Sequence, residues 1–283
     1  MTKTFSRVRA LSPSRSARDG ESAWGWGPRR SEKHGAPGSA AKAESLRSRP
    51  RSLARGGGAP RAIRNVGPVM RALARAIDGL ELPAVEKISE TQEEDPFQVL
   101  IATLLSARTQ DATTLAASTR LFKVARTPRT MATLTVRQIE RLIYPVSFYR
   151  HKARHVRATS RILVDRFDGR VPATMEELLT LPGVGRKTAN LVLILAFESL
   201  GNICVDTHVH RISNRLGWVR TKTPDETEQA LYRATDRRWW PYINLYLVTW
   251  GQNICRPVSP RCDECVIRPW CSQNGVAQKR RPA

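Results

Sequence analysis

From Pro68 onward the apolar residues recur at steps of three and four, and no stretch of useful length alternates apolar with polar residues. That pattern confines the chain to an all-α fold. "PVMRALARAI" places Val69, Met70, Leu73 and Ile77 at helical spacing, and a first helix is expected near residues 68–88. "DPFQVLIATLLSARTQDATTLAASTRLF" reads as one helix, buried because its centre is almost wholly apolar. "TVRQIERLI" (135–143), "KARHVRATSRILVDRF" (152–167) and "TMEELLTL" (174–181) follow the same period. Loops are expected at "ARTPRT", "FDGRVPA" and "TKTPDE".

Charge narrows the partners. The 283 residues include 47 Lys and Arg against 25 Asp and Glu, a net charge of +22. Such an excess favours a polyanion, with nucleic acid first and an anionic membrane surface second. Residues 1–66 hold 15 of the basic residues and 4 acids (Asp19, Glu21, Glu32, Glu44), so half of the excess lies there. This arm is rich in Arg, Ser, Gly, Ala and Pro, buries little apolar surface and is expected to be disordered. Three readings stay open: a DNA-binding arm, an organelle-targeting segment, and an upstream stretch without function ahead of a start at Met70. A short basic tail is expected over residues 276–283. No apolar run reaches the roughly 18 residues of a membrane span, so no membrane partner is expected. No secretory signal is legible at the N-terminus.

The segment "LPGVGRKTAN" (181–190) joins two helical stretches through Pro-Gly-Val-Gly, which implies a helix–hairpin–helix. Glycine tolerates positive φ and lets another molecule approach the backbone. The first amides of the second helix have no intrahelical partner and sit at the positive end of its dipole. Gly183, Val184 and Gly185 therefore make an anion site that would grip a DNA phosphate without reading sequence. A plain tight turn between helices explains the glycines equally well. Lys187 falls on the first turn of that helix, where the dipole, with partial burial, favours the neutral amine that attacks carbon. The alternative is a surface lysine touching phosphate. Asp206 opens "DTHVHRISNRLG", whose Val209, Ile212 and Leu216 share one helical face, so it reads first as an N-cap. His208 and His210, two apart, point to different sides of a helix and suit hydrogen bonding better than a metal.

Of five cysteines, Cys255, Cys262, Cys265 and Cys271 form C-x6-C-x2-C-x5-C. Four thiolates suit an iron–sulfur cluster or zinc, although zinc ribbons usually show two C-x2-C pairs and this chain has one. Cys204, between Ile203 and Val205, reads as a buried small apolar residue.

"LPGVGRKTAN", then "VDTHVHRISNRLG", then the four spaced cysteines, together resemble the endonuclease III family of DNA glycosylases with abasic-site lyase activity, within the helix–hairpin–helix superfamily. The likeness runs from about residue 68 to about 275. It implies two helical lobes: one of six helices over about 89–199, the other joining 68–88 to 200–275 and carrying a C-terminal [4Fe–4S] loop. DNA would lie in the cleft between them. By the same resemblance Lys187 is the nucleophile, Asp206 the essential carboxylate, and the four cysteines the cluster ligands, with Arg256 and Arg261 of "RPVSPR" presented to phosphates. "LLSARTQD" stands where the family has "LLSAQTTD"-like text, so Arg108 replaces the glutamine that faces the orphaned base, and Gln110 also departs. Asp111 matches a position near the lesion pocket. Phe148 of "PVSFYRHKA" matches the residue that wedges the opposite strand, with Ser147 where glycine is common.

The activity implied is base-excision repair: removal of oxidised pyrimidines through a Schiff base, then strand cleavage by β-elimination. The implied partner is double-stranded DNA carrying damaged bases or abasic sites, bound by a monomer. The implied location is cytoplasmic and nucleoid-associated in a prokaryote, or an organelle or nucleus if the arm is a targeting segment. The adenine-glycosylase relatives usually lack the lysine and carry a further domain. A non-catalytic DNA-binding module would keep the turn and the cysteines and show no activity.

Overall fold

A computed structural model describes residue 63 and residues 65–93 and 95–276. The expectations for residues 1–62 and for the tail from 277 lie outside the described residues. Among the described residues there is no strand, and no helix is long and apolar enough to cross a membrane.

The helices are α1 (Val66–Ala76), α2 (Ala84–Thr91), α3 (Pro96–Ser106), α4 (Asp111–Val124), α5 (Pro128–Thr133), α6 (Val136–Ile143) and α7 (Tyr149–Phe167). They continue as α8 (Met175–Leu178), α9 (Arg186–Ala196), α10 (Thr207–Leu216), α11 (Pro224–Ala234) and α12 (Trp240–Asn253).

Local chemistry places these ends and overturns several expectations. The expected helix near 68–88 is two helices, separated by a turn with Gly79 at φ +81 and stopped before α2 by Pro83. The long segment from Asp95 is also two helices, because the chain leaves helical geometry after Ser106 and Arg108 takes φ +56. Two of the three expected loops contain helix starts instead. In each, a threonine caps the helix and a proline follows at its first position: Thr127 accepts from Thr130 N, and Thr223 accepts from Glu226 N. Proline is pre-set for that position, so Thr-Pro reads as a helix start as readily as a loop.

Two cores result. The first gathers Leu100, Ile101 and Leu105 of α3 with Leu121, Met131, Ile139 and Leu163. The second joins Met70 and Leu73 of α1 to Val209 and Ile212 of α10 and to Ile243, Tyr246 and Leu247 of α12. Chain order thus brings the first helix back onto the last. Between the two cores, Val85 of α2, Leu191 and Ile194 of α9, and Cys204 form a small apolar cluster of their own. Lys187 and Asp206 flank its Leu191, Ile194 and Cys204 in sequence, at the starts of α9 and α10.

Candidate active site

The hairpin runs from the one-turn α8 through residues 179–185 into α9. Gly183 has φ +80, and a Cβ there would lie 2.6 Å from His155 Nδ1. Only glycine fits both demands. Thr159, one turn along α7 from His155, donates to Pro182 O at 3.2 Å. Val184 is buried in the first core. Gly185 is the N-cap of α9, its carbonyl accepting from Ala189 N at 2.9 Å, and a Cβ there would meet nothing within 4 Å. The two glycines therefore differ: one is required by the fold, the other leaves the amides at the helix start open to an approaching group. Arg186, the first residue of α9, pairs with the buried Glu228 of α11 and ties the hairpin to the second core. Lys187 follows on the first turn. Its side chain is exposed, which corrects the partial burial expected from the sequence.

Asp206 caps α10. Its Oδ1 accepts from His208 N and Val209 N, both at 2.8 Å. Among the described residues nothing hydrogen-bonds its Oδ2. Cys204, two residues earlier, is buried and donates to Lys187 O at 3.5 Å, so the segment entering α10 lies against the start of α9. Burial pushes its thiol up, while the Lys187 charge opposes that and the Asp206 charge adds to it. Glu86 of α2 feels both groups as well. It is 4% exposed, and its Oε2 has no hydrogen-bond partner. Burial pushes its carboxyl up to about 8; Lys187 pulls it down, and Asp111, Glu90 and Asp206 push it further up. His208 and His210 behave as expected: His210 Nδ1 meets Thr227 Oγ1 at 2.7 Å and His208 Nδ1 meets Arg211 at 3.1 Å.

Asp111, at the start of α4, has a structural duty. Its Oδ2 accepts from Ala84 N at 3.1 Å, capping α2, and from Gln252 Nε2 of α12 at 3.0 Å. The α3–α4 turn just before it carries Arg108, exposed, with its guanidinium 5.9 Å from the Phe148 ring centre. Phe148, at the start of α7, has φ +57 and is 59% exposed. The buried Lys152 connects the two turns, and burial pulls its amine down to about 8.

The four cysteines surround one cavity, shared with Ile212, Leu216, Ile254 and Ile267. None is in a disulfide. Arg215 of α10 donates to Cys255 Sγ at 3.4 Å, and Gln273 N donates to Cys271 Sγ at 3.4 Å. Donors aimed at sulfur suit thiolate ligands. Among the described residues no three or more Cys, His, Asp or Glu side chains are grouped as ligands of one metal ion. Arg256 and Arg261 are both exposed on the loop between the first two cysteines, Arg261 pairing with Glu264 at 3.5 Å.

Comparison with known proteins decides the family. Residues 101–237 match the family model of HhH-GPD superfamily base excision DNA repair proteins. Endonuclease III of Thermotoga maritima is 51% identical over 180 residues, which cover 64% of this chain and 84% of that one. The chain belongs to the endonuclease III family. The chloroplastic endonuclease III homolog 2 of Arabidopsis thaliana is 46% identical over 187 residues, 63% of this chain and 48% of its own. Among solved structures, a trapped endonuclease III–DNA covalent intermediate and a non-covalent endonuclease III–DNA complex each superimpose with a TM-score of 0.65. Each is 32% identical and covers 74% of this chain and 95% of that one.

Of the residues singled out from sequence, Lys187, Asp206 and Asp111 converge on the α2 junction of this family member. Gly183, Val184 and Gly185 form the hairpin beside them. Arg108 and Phe148 form a separate projecting pair, and the cysteines lie beyond α10. Sequence reasoning missed Glu86, Lys152, Gln252 and the Arg186–Glu228 pair. One signal was present: Lys152 falls on the stripe of α7 that also carries Ala153, Val156 and Leu163, all buried.

Proposed function

We propose that the chain removes oxidised pyrimidines from double-stranded DNA and cleaves the strand at the resulting abasic site, through a Schiff base on Lys187. One observation carries the reading: Cys204, two residues before Asp206, donates to Lys187 O at 3.5 Å, which sets the capped carboxylate at the start of α10 beside the lysine at the start of α9. The exposed amine and the carboxylate then lie close to amides free to hold a phosphate. The DNA complexes of its structural relatives support a DNA substrate. The lesion class rests on the family resemblance.

The damaged nucleotide leaves the stack, because C1′ is out of reach inside the duplex. The amine nitrogen of Lys187 attacks C1′, and the base departs with the electron pair of the C1′–N bond. The nitrogen then loses a proton and the C1′–O4′ bond opens, giving a C1′=N⁺ Schiff base with O4′ protonated. Loss of a C2′ proton expels the 3′ phosphate. Asp206 stabilises positive charge as it develops on the sugar and accepts the amine proton; its bonded Oδ1 fixes the carboxylate while Oδ2 remains for this work. Gly183, Val184 and Gly185 clamp the strand. Phe148 wedges the opposite strand, Arg108 faces the orphaned base, and Asp111 borders the lesion pocket.

Cys255, Cys262, Cys265 and Cys271 hold a [4Fe–4S] cluster in this reading, which supplies a rigid cross-link for the loop. The donors to Cys255 and Cys271, and the single C-x2-C pair, support it. That loop presents Arg256 and Arg261 to backbone phosphates.

Borohydride trapping on abasic-site DNA tests the chemistry. A covalent adduct is expected with the unaltered chain and none with Lys187→Ala. Base release without any adduct would favour the adenine-glycosylase mode, and neither product would leave only a DNA-gripping scaffold. Duplexes carrying different damaged bases test the lesion class, with oxidised pyrimidines expected to be released fastest.

A further inference from the structure

Two turns project from the first lobe with no segment of chain joining them directly. The α3–α4 turn, residues 107–110, carries Arg108, and the α6–α7 turn, residues 144–148, carries Phe148. Both exposed residues sit in left-handed backbone, φ +56 and φ +57. That region is strained for a side-chain-bearing residue and persists only where the surroundings impose it.

What imposes it lies underneath. Lys152, on the first turn of α7, is 8% exposed. Its Nζ donates to Leu105 O at 2.8 Å, to Ala107 O at 2.6 Å and to Thr109 Oγ1 at 3.1 Å. An ammonium has three donors, and all three are used. Two of the acceptors are carbonyls at the C-terminal end of α3, where the dipole favours a cation. A buried lysine without such partners would be costly, so its place is defined by these bonds. Thr109 Oγ1 also accepts from Ser147 N at 3.2 Å, which draws the second turn to the same point. The guanidinium of Arg108 then lies 5.9 Å from the Phe148 ring centre. Lys152 and Thr109 thus join two turns that are far apart in sequence.

We propose that Lys152, acting through Thr109, is a positioning residue that locks the Arg108 and Phe148 turns into a single wedge for the distorted duplex, and so sets discrimination between damaged and intact DNA. This rests on the reading that Arg108 and Phe148 enter the duplex. Lys152 itself lies too deep to touch DNA.

The full chain, as isolated, tests it in four variants: Lys152→Met, Arg108→Ala, Phe148→Ala, and Lys152→Met combined with Arg108→Ala. The quantity read is the ratio of affinities for a duplex with a stable tetrahydrofuran abasic analogue and for the same duplex undamaged. A 2-aminopurine opposite the analogue reports displacement of the orphaned base. Lys152→Met is expected to reduce the ratio on the order of tenfold, a coupling typical of residues in one network, and to suppress the 2-aminopurine signal. Added to Arg108→Ala, it is expected to cost nothing further. Additive losses in the double variant, or equal loss on both duplexes, would overturn the proposal. If Arg108→Ala and Phe148→Ala both leave the ratio intact, the wedge reading itself fails, and the Lys152 role with it. Should Lys152→Met not fold, Thr109→Val removes the shared acceptor while Thr109→Ser keeps it. Loss in the first and retention in the second is expected; equal behaviour of the two overturns the proposal.

Discussion

Glu86 shows how one buried side chain shapes the cleft. Desolvation holds its carboxyl protonated up to about 8, against an ordinary 4.5. At neutral pH it therefore adds no negative charge to that of Asp111, Glu90 and Asp206. The same shift ties stability to pH. Below the ordinary value, folded and unfolded chains both carry the proton; between there and about 8 the folded chain keeps it and the unfolded chain has lost it. This contribution is thus present in acid and lost as pH rises through the folded value. Glu86→Gln mimics the neutral form at every pH. Its melting temperature, followed from about pH 5 to about pH 8, is expected to decline less than that of the unaltered chain. Parallel curves would mean that Glu86 is not a buried, proton-holding group. Nothing in "AVEKISET" announces this, since an acid on the first turn of a short amphipathic helix reads as a solvated residue. The burial comes from tertiary packing of α2 against α3, α4 and α9, which its own eight residues do not display.

The hairpin is the element most legible in sequence, because its demands are local. Gly183 is dictated by backbone conformation and by His155, whereas Gly185 is dictated by nothing inside the protein. Substitution separates fold from function here. Gly183→Ala is expected to lower the melting temperature, since it forces a side chain into left-handed backbone and against an imidazole. Gly185→Ala fits both the backbone, at φ −105, and the space, so it should shift stability by no more than about 0.5 kcal/mol. It should nevertheless weaken binding to abasic-site duplex, because the added methyl stands where a phosphate would meet the amides. Equal binding by Gly185→Ala and the parent chain would remove the hairpin from the DNA interface. Asp206 was legible for the same local reason, as a cap before an apolar stripe. The break after Ser106 was not legible, because the helical spacing continues through "ARTQD" on both sides of it. The Thr-Pro starts of α5 and α11 were visible as residues but were read only as punctuation. Lys152 on an apolar stripe was a readable anomaly, yet its acceptors are backbone carbonyls of another helix, which sequence does not display.

At the scale of the molecule, the basic loop between Cys255 and Cys262 is braced against the second core. Cys255, Cys265 and Cys271 pack against the second core, and the buried Arg215 braces the loop by donating to Arg256 O at 2.7 Å and Pro257 O at 2.9 Å. One arginine therefore holds backbone on which another arginine is displayed, and the four thiols close the far side. If the loop serves to carry Arg256 and Arg261 to phosphates, its loss has a thermodynamic signature distinct from loss of chemistry. Each neutralised phosphate contributes about 0.9 to the slope of log affinity against log salt. Cys262→Ser, which removes one of the four proposed cluster ligands, is expected to make that slope shallower by about 2 for abasic-analogue duplex. The first core has its own helices and should keep its helical circular dichroism. Arg256→Ala with Arg261→Ala, in a chain whose cysteines are intact, should reproduce the same change in slope. An unchanged slope in the cysteine variant would mean that the loop stands away from the phosphates and serves the second core alone. A changed slope with the double arginine variant unaffected would move the contact to other basic residues of that lobe.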